Sequence, residues 1–200
     1  MISRRSWLET AAVTAGASSL LSMDPSVANA ADSKPGGIPL SRYEDPACKF
    51  SLDLPSDWTK TEQTLPDRRK IILYIKPDSN QKTLVFLAYT PVRDDFTSLS
   101  SFGSVDEVAE ATILPKAELA GIEGVESRMI SATSKKQSYL FDYVQKVPSQ
   151  PETHFRTIFT LASGATGGAG NVLVTITAQA PEAEYSSIKP VFDQILDSYK

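Results

Sequence analysis

Between residues 138 and 162, aromatic and β-branched side chains recur at every second position. Pro148 and Pro151 interrupt this alternation, and neither can donate a ladder hydrogen bond. Because successive side chains of a strand point to opposite faces, the pattern predicts two half-buried strands folded back on each other. The alternating positions are Tyr139, Phe141, Tyr143 and Val147, followed by Phe155, Thr157, Phe159 and Leu161.

The same two-residue period predicts further strands along the chain. Each of these runs is short and is followed by prolines or by turn-forming residues, so the connections are of the hairpin type. No strand–helix–strand alternation of the kind that a parallel sheet requires is present. The predicted strands cover residues 50–54, 70–75, 83–89, 125–132 and 171–179.

Two segments have the three-to-four-residue period of a helix. Ser104 and Glu107 form a capping-box pattern, and the apolar positions that follow lie on one helical face. A second stripe runs from 184 to 199 and predicts a C-terminal helix. Pro190 is tolerated there only in a first turn, so Ser186 or Ser187 is predicted as the N-cap. The predicted fold is α+β, an α/β/α sandwich with a central antiparallel sheet flanked by helices.

The N-terminal 30 residues have the layout of an export segment. Arg4 and Arg5 form a twin-arginine pair, and the apolar run that follows is too short for a stable membrane anchor. Ala28 and Ala30 complete an A-x-A cleavage pattern. We therefore interpret residues 1–30 as a targeting segment of the twin-arginine type.

The composition narrows the domain plan and the classes of function. Residues 31–41 contain prolines and glycines and are predicted to be a flexible arm, which leaves residues 42–200 as one domain. The net charge of −4 excludes the concentrated basic excess of a nucleic-acid-binding protein. A single cysteine and a single histidine exclude an intrachain disulfide and a multi-histidine metal site.

Several segments of the chain, taken in order, resemble the PsbP-domain family of the thylakoid lumen. The similarity extends from about Tyr43 to Tyr199, and its most specific piece is the Phe102–Val108 segment, in which FGS is followed by acidic residues and a helix. The other matching pieces are Tyr43-Glu44-Asp45, Phe50-Ser51-Leu52 with Pro55 and Trp58, Tyr139-Leu140-Phe141-Asp142-Tyr143, His154, Ala178-Gln179-Ala180-Pro181-Glu182 and Ser198-Tyr199.

The resemblance implies a non-enzymatic protein of the chloroplast thylakoid lumen, with a cyanobacterial lumen or a periplasm as the alternative. It implies peripheral binding to a thylakoid membrane protein complex, above all photosystem II and its oxygen-evolving complex, with calcium or manganese retention as an associated role. An assembly factor for photosystem I or an NDH-type complex is the alternative, as is a small-ligand or metal-binding lumenal protein that uses His154. The family at large is implied, not a particular member.

His154 is the candidate metal ligand. The resemblance links the histidine at this place to a weakly bound divalent metal, Ca²⁺, Mn²⁺ or Zn²⁺, and Asp142 is available as a further ligand. The alternative is a strand histidine that makes a structural hydrogen bond, since a single imidazole gives weak metal selectivity. No catalytic residue is predicted: His154 is the only available base for a hydrolytic triad, and no G-x-S-x-G elbow occurs to supply the serine.

Two short basic clusters stand out on an otherwise acidic chain. They are Arg68-Arg69-Lys70 and Lys135-Lys136. Basic clusters of this kind can steer docking onto an acidic partner surface, and they can equally be solvated turns. The sequence leaves both interpretations open.

Overall fold

The computed structural model describes residues 38–66, 68–80, 82–114, 124–162 and 170–200. Within these ranges the chain forms nine strands and two α-helices. A 3₁₀ turn at Leu99–Ser101 precedes the first helix, and a π-turn at Ala109–Ile113 follows it. The elements are β1 Leu40–Asp45, β2 Phe50–Pro55, β3 Thr59–Thr64, β4 Lys70–Ile75, β5 Leu84–Val92, α1 Val105–Val108, β6 Glu126–Lys135, β7 Ser138–Lys146, β8 Thr153–Ala162, β9 Asn171–Pro181 and α2 Glu182–Asp197.

A seven-stranded sheet forms the middle layer, in the order β3-β4-β5-β9-β8-β7-β6. Every neighbouring pair is antiparallel, as the hairpin-type connections predict. The hairpin at 138–162 forms as expected, with Tyr139 opposite Phe159 in β7 and β8. Strands β1 and β2 make a separate two-stranded ribbon.

Each face of the sheet carries its own core. On one face, α2 and the β1–β2 ribbon pack over the sheet and bury Leu52, Leu54, Ile72, Val85, Leu87, Ile158, Val174, Ile176, Phe192 and Ile195. On the other face, the segment from Leu99 through α1 buries Leu99, Val108, Ala109, Tyr139, Phe141, Phe159 and Leu173. We call these the α2-side core and the α1-side core. The layers confirm the α+β sandwich with helices on both sides of an antiparallel sheet.

The capping box before α1 is present as predicted. The Glu107 backbone N–H donates to the Ser104 hydroxyl at 3.3 Å, and the Ser104 N–H donates to the Glu107 carboxylate at 2.7 Å. These contacts lower the pKa of Glu107, the hydrogen bond from the Ser104 backbone contributing most. The box holds α1 at the point where Gly103, at φ +121°, turns the chain onto the sheet.

Two strands were not predicted, and both have weak hydrophobic patterns. β3 reads TKTEQT and contains no apolar residue; it forms because its backbone pairs with β4 along the sheet edge. β1 begins at Leu40, so the last two residues of the expected arm belong to the ribbon. The rest of that arm lies almost entirely outside the described residues, as does the whole targeting segment with Arg4, Arg5, Ala28 and Ala30.

The predicted start of the C-terminal helix is wrong. α2 begins at Glu182, directly after β9, so neither Ser186 nor Ser187 is its N-cap, and Pro190 lies inside the helix. An interior proline costs about 3 kcal/mol. Phe192 and Ile195 are fully buried, and each contributes roughly 2–3 kcal/mol of burial free energy. The buried stripe therefore outweighs the proline and determines the helix.

The C-terminus is bound to the ribbon by three hydrogen bonds. Ser51 and Lys200 exchange backbone hydrogen bonds of 3.1 and 3.0 Å. The Ser198 hydroxyl accepts from the Asp53 backbone N–H at 2.7 Å and donates to the Ile195 carbonyl at 2.6 Å. These contacts connect the end of α2 to β2.

We expect Ser198→Ala to lower the free energy of unfolding by about 1–2 kcal/mol, because the Asp53 N–H loses its acceptor in a partly buried position. Urea titration followed by circular dichroism measures the change. Ser187→Ala is the control, since its hydroxyl makes one exposed hydrogen bond within α2. Equal stabilities of the two variants would contradict the role assigned to the Ser198 contact.

Candidate functional site

His154 lies on β8, on the face of the sheet that α2 covers. The residue is 4% exposed. Its ring stacks on Tyr185 of α2, with the centroids 3.4 Å apart and the planes inclined by 6°. β8 and α2 therefore hold the imidazole from two sides, and its position is fixed by packing.

Both ring nitrogens of His154 face a carboxylate. Nδ1 lies 2.6 Å from Glu182 Oε2, and Nε2 lies 2.7 Å from Asp142 Oδ1. Asp142 comes from β7 and Glu182 from the first turn of α2. A ring nitrogen donates only when it carries hydrogen, so the doubly protonated imidazolium satisfies both carboxylates at once. The imidazole therefore bridges β7 and α2 through both of its ring nitrogens.

The ionic contacts continue from Asp142 along the same face. The Arg156 Nε lies 3.7 Å from Asp142 Oδ2, and its guanidinium also bonds to Asp193 of α2. Lys189 Nζ reaches the other oxygen of Asp193 at 2.7 Å. These contacts link six residues in series, which we call the histidine network: Glu182, His154, Asp142, Arg156, Asp193 and Lys189.

Two groups of the histidine network, Arg156 and Asp193, have pKa values shifted in the direction that favours their charged forms. Burial disfavours the Arg156 guanidinium, but Asp193 and Asp142 nevertheless hold its pKa above its ordinary range. Burial likewise acts to raise the pKa of Asp193, and the hydrogen bonds from Lys189 and Arg156 outweigh it, so the pKa is lowered. Burial raises the pKa of the Tyr185 phenol to about 12, which keeps that ring neutral under His154.

The structure brings together two of the residues that the sequence singled out, His154 and Asp142. The sequence did not indicate that Glu182, Arg156 and Asp193 would join them. Glu182 was placed before the helix, and no pattern shows which acidic residues of a helix face a given strand. The one usable signal was the alternation of β8, which puts His154 and Arg156 on the same face.

Metal binding at His154 stays a prediction. Across the described ranges, no group of three or more histidine, cysteine, aspartate or glutamate side chains has the arrangement of a metal site. Each imidazole nitrogen already lies at hydrogen-bond distance from a carboxylate oxygen. A divalent ion at this place would have to take the position of one of the shared protons.

Cys48 is half-buried and packs against the α2-side core. Burial, with a further contribution from the Asp45 carboxylate, raises the pKa of its thiol to about 11. A thiol with that pKa is protonated at neutral pH, whereas a reactive cysteine requires the thiolate. Cys48 is therefore a packing residue and not a reactive thiol.

The fold and the site together define an antiparallel α+β sandwich whose histidine is held by packing and ion pairs. The PsbP family model matches residues 39–200. The chain belongs to the PsbP family. No helix in the described ranges is long and apolar enough to cross a membrane.

One curated relative is PsbP domain-containing protein 3, chloroplastic, of Arabidopsis thaliana, which is 26% identical over 165 residues. The alignment covers 79% of this chain and spans 63% of that protein's length. The solution structure of cyanobacterial PsbP (CyanoP) from Synechocystis sp. PCC 6803 superimposes with a TM-score of 0.61 at 16% identity. That comparison covers 86% of this chain and 97% of the other, and it confirms the fold.

A third comparison is with the crystal structure of LpqN, involved in cell envelope biogenesis of Mycobacterium tuberculosis. The TM-score is 0.48 at 12% identity, and the match covers 82% of this chain and 86% of that one. A likeness at this level supports no conclusion about the present chain.

We expect His154→Ala to lower the free energy of unfolding by about 2 kcal/mol, because Asp142 and Glu182 lose their hydrogen-bond partner and Tyr185 loses its stacking partner. The side chains of Asp142 and Glu182 are 24% and 41% exposed, and water contact keeps the effect below that of a fully buried pair. Chemical denaturation measures it.

The control is Lys189→Ala at the exposed end of the histidine network. This substitution should lower the free energy of unfolding by less than about 0.5 kcal/mol. If His154→Ala were as stable as the unmodified protein, the imidazole would not be the link between β7 and α2.

Proposed function

We propose that this protein is a non-enzymatic PsbP-domain protein of the thylakoid lumen that docks peripherally on a membrane protein complex, photosystem II in the first place. Family membership over residues 39–200 supports the docking role. The chloroplast relative and the twin-arginine pattern at Arg4 and Arg5 support the compartment. Cleavage after Ala30 would release the mature domain.

The observation that carries the docking proposal is the position of the two basic clusters. They lie in the β3–β4 and β6–β7 turns, 65 residues apart in sequence from Lys70 to Lys135. The strand register joins them in a single row across the sheet, so both turns are at the same end of the domain. The row is Lys70, Tyr89, Val174, Thr160, Ser138 and Lys135.

We call the end of the domain that carries these two turns the basic end. The two turns are widely separated, and basic side chains in both are exposed. Five interstrand spacings separate β4 from β6, which amounts to about 24 Å. Arg68, Lys135 and Lys136 are exposed. Lys135 and Lys136 form no ion pair with any residue that the structure describes. Two separated positive sites on an acidic protein orient it toward an acidic partner and raise the association rate.

The same proposal includes a role in retaining calcium or manganese at the oxygen-evolving complex. The alternative is a role in the assembly of photosystem I or an NDH-type complex. Each of these roles would use the same docking contact through the basic end. An affinity pull-down from solubilised thylakoids, followed by identification of the subunits that are enriched, distinguishes the complexes.

We expect the purified protein to co-sediment with thylakoid membranes at low salt, and the double substitution Lys135→Glu and Lys136→Glu to weaken that binding at least tenfold. Removing two positive charges and adding two negative ones reverses the field at one basic turn. The matched control is Lys76→Glu with Lys82→Glu, in the turn at the opposite end of the sheet. Equal losses in both double variants, or binding that salt does not affect, would count against docking through the basic end.

A second candidate function is binding of a small ligand or divalent metal at His154, and the observation that favours it is the pair of carboxylates within 2.7 Å of the ring. Calorimetric titration with Mn²⁺, Ca²⁺ and Zn²⁺ tests it. The hypothesis predicts heat with the unmodified chain that is lost in His154→Ala. Absence of heat, or the same heat from both proteins, would exclude it.

A further inference from the structure

Six residues other than glycine hold a left-handed backbone among those that the structure describes, with φ between 48° and 66°. Three of them are basic, and the other three are aspartate, asparagine and serine. In chain order they are Lys49, Arg68, Asp78, Asn80, Lys136 and Ser149. A left-handed φ costs most residues free energy, and glycine, asparagine and aspartate take it most readily. The three basic residues are therefore the unusual occupants of such positions.

Lys49 lies at the same end of the domain as the other two basic residues, whose turns define the basic end. It closes the turn of the β1–β2 ribbon, directly before Phe50. The Phe50 ring lies 6.3 Å from the ring of Tyr89, and Tyr89 pairs with Lys70 in the row that marks the basic end. The ribbon turn therefore emerges at the basic end, from the layer that covers the α2-side core.

The turns at the opposite end of the sheet provide the contrast. Asp78 and Asn80 lie in the β4–β5 turn, and Ser149 lies in the β7–β8 turn. Of the described left-handed positions apart from glycine, those at the basic end all carry a positive charge, and those at the opposite end carry none. Glycine or asparagine would take the same φ at lower cost, and strained backbone of this kind clusters at functional sites. The pattern indicates that the charges at the basic end have a function.

The three basic side chains are accessible to a partner. Lys49, Arg68 and Lys136 are all exposed, and none forms an ion pair with any residue in the described ranges. Lys70 differs from them, because its ammonium lies 2.7 Å from Glu62 and 5.8 Å from the centre of the Tyr89 ring. Lys70 is thus engaged within the domain, and Arg68 is the exposed charge of that turn.

The spacing of the three charges sets the size of the surface that they fit. The strands β4 and β6 are about 24 Å apart across the sheet, and a layer packed on a sheet lies about 10 Å from it. The Debye length at physiological ionic strength is about 8 Å. The charges are therefore largely screened from one another, and each requires its own anion on the partner. One small anion cannot serve all three.

Acidic residues between the two sheet turns favour a protein partner over a lipid surface. Asp94 and Asp95 follow β5 at this end of the sheet, and both are exposed. β5 stands between β4 and β6 in the strand order, so these carboxylates lie between the basic turns. A continuous anionic lipid surface would face them and repel them. A protein surface can present its carboxylates only opposite the basic residues.

We propose that Lys49 is a third docking residue of the basic end, and that Lys49, Arg68 and Lys136 each bind a carboxylate on a broad face of the partner protein. The proposal rests on the docking function proposed above and adds to it a contact from the ribbon layer and the chemistry of the bound groups. Two contacts leave a rigid body free to rotate about the line that joins them, and a third contact off that line removes the rotation. Lys49 therefore sets the tilt of the domain on its partner.

The test is co-sedimentation of the full chain with thylakoid membranes at low salt. Lys49→Asn removes the charge and keeps a residue type that tolerates the left-handed backbone. We expect it to weaken binding about fivefold, whereas Lys49→Arg keeps the charge and should bind as the unmodified chain does. The matched control is Lys82→Asn, the same change at an exposed position in the turn at the opposite end, which should leave binding unchanged.

Thermal unfolding separates a docking role from a structural one. Lys49→Asn and Lys136→Gly both relieve the left-handed strain, so neither should lower the midpoint, and Lys136→Gly should raise it by about 2 °C. A lower midpoint in both variants would show that the basic residues stabilise their turns. The argument from backbone strain would then be wrong.

Chemical modification of the membranes identifies the groups that are bound. A carbodiimide with glycine methyl ester converts protein carboxylates into neutral amides and leaves lipid phosphate and sulfonate groups charged. We expect the treated membranes to bind the unmodified chain about fivefold more weakly, since the partner anions are removed. Vesicles of phosphatidylcholine and phosphatidylglycerol in equal amounts should not bind it at the same salt. Undiminished binding to treated membranes, or vesicle binding as tight as that of thylakoids, would make lipid the partner and overturn the proposal.

The same measurements separate this proposal from the function on which it rests. If Lys135→Glu with Lys136→Glu weakens binding and Lys49→Asn does not, docking through the basic end stands and the third contact at Lys49 is excluded. If the chain does not bind thylakoid membranes, or if salt and every charge variant leave binding unchanged, both are excluded.

Discussion

The structure depends on one strand pairing, the insertion of β9 between β5 and β8. The strands β3–β4–β5 and β6–β7–β8 are each consecutive in sequence, and β9 joins the two groups into one sheet. β9 pairs along nine residues of β5 and ten of β8. Both cores span this strand, since Val174 faces α2 and Leu173 faces the α1 side. Because β9 is the last strand and completes the sheet, the sheet cannot form without the C-terminal fifth of the chain.

The histidine network follows from the same pairing. β9 continues without a break into α2, so the register of β9 against β8 determines where the helix starts. Ala180 stands opposite His154, and Glu182 comes two residues later, within 2.6 Å of the imidazole. Asp193 and Tyr185 are positioned by the helix that begins there. If the proposed twin-arginine export carries the domain in its folded state, the network crosses the membrane already assembled.

The sequence predicted the parts of the fold in which burial is periodic. β7 and β8 could be located because aromatic and β-branched residues, Phe141 and Phe159 among them, recur at every second position. β3 could not, since an edge strand needs only backbone pairing. The start of α2 was missed because capping preferences favoured a serine, whereas the buried contacts of Phe192 decided the helix. Of the site, His154 and Asp142 were anticipated as a pair, but the helical acids depend on tertiary packing that sequence spacing does not encode.

The basic end and the two cores use different forces, and this difference is physically separable. The basic end acts at long range and weakens as salt shortens the Debye length, which is about 10 Å at 0.1 M. The cores act only on contact, through apolar burial that salt does not screen. Salt should therefore reduce the association rate of docking strongly while leaving the stability of the domain less affected, since charge steers the encounter and burial holds the fold.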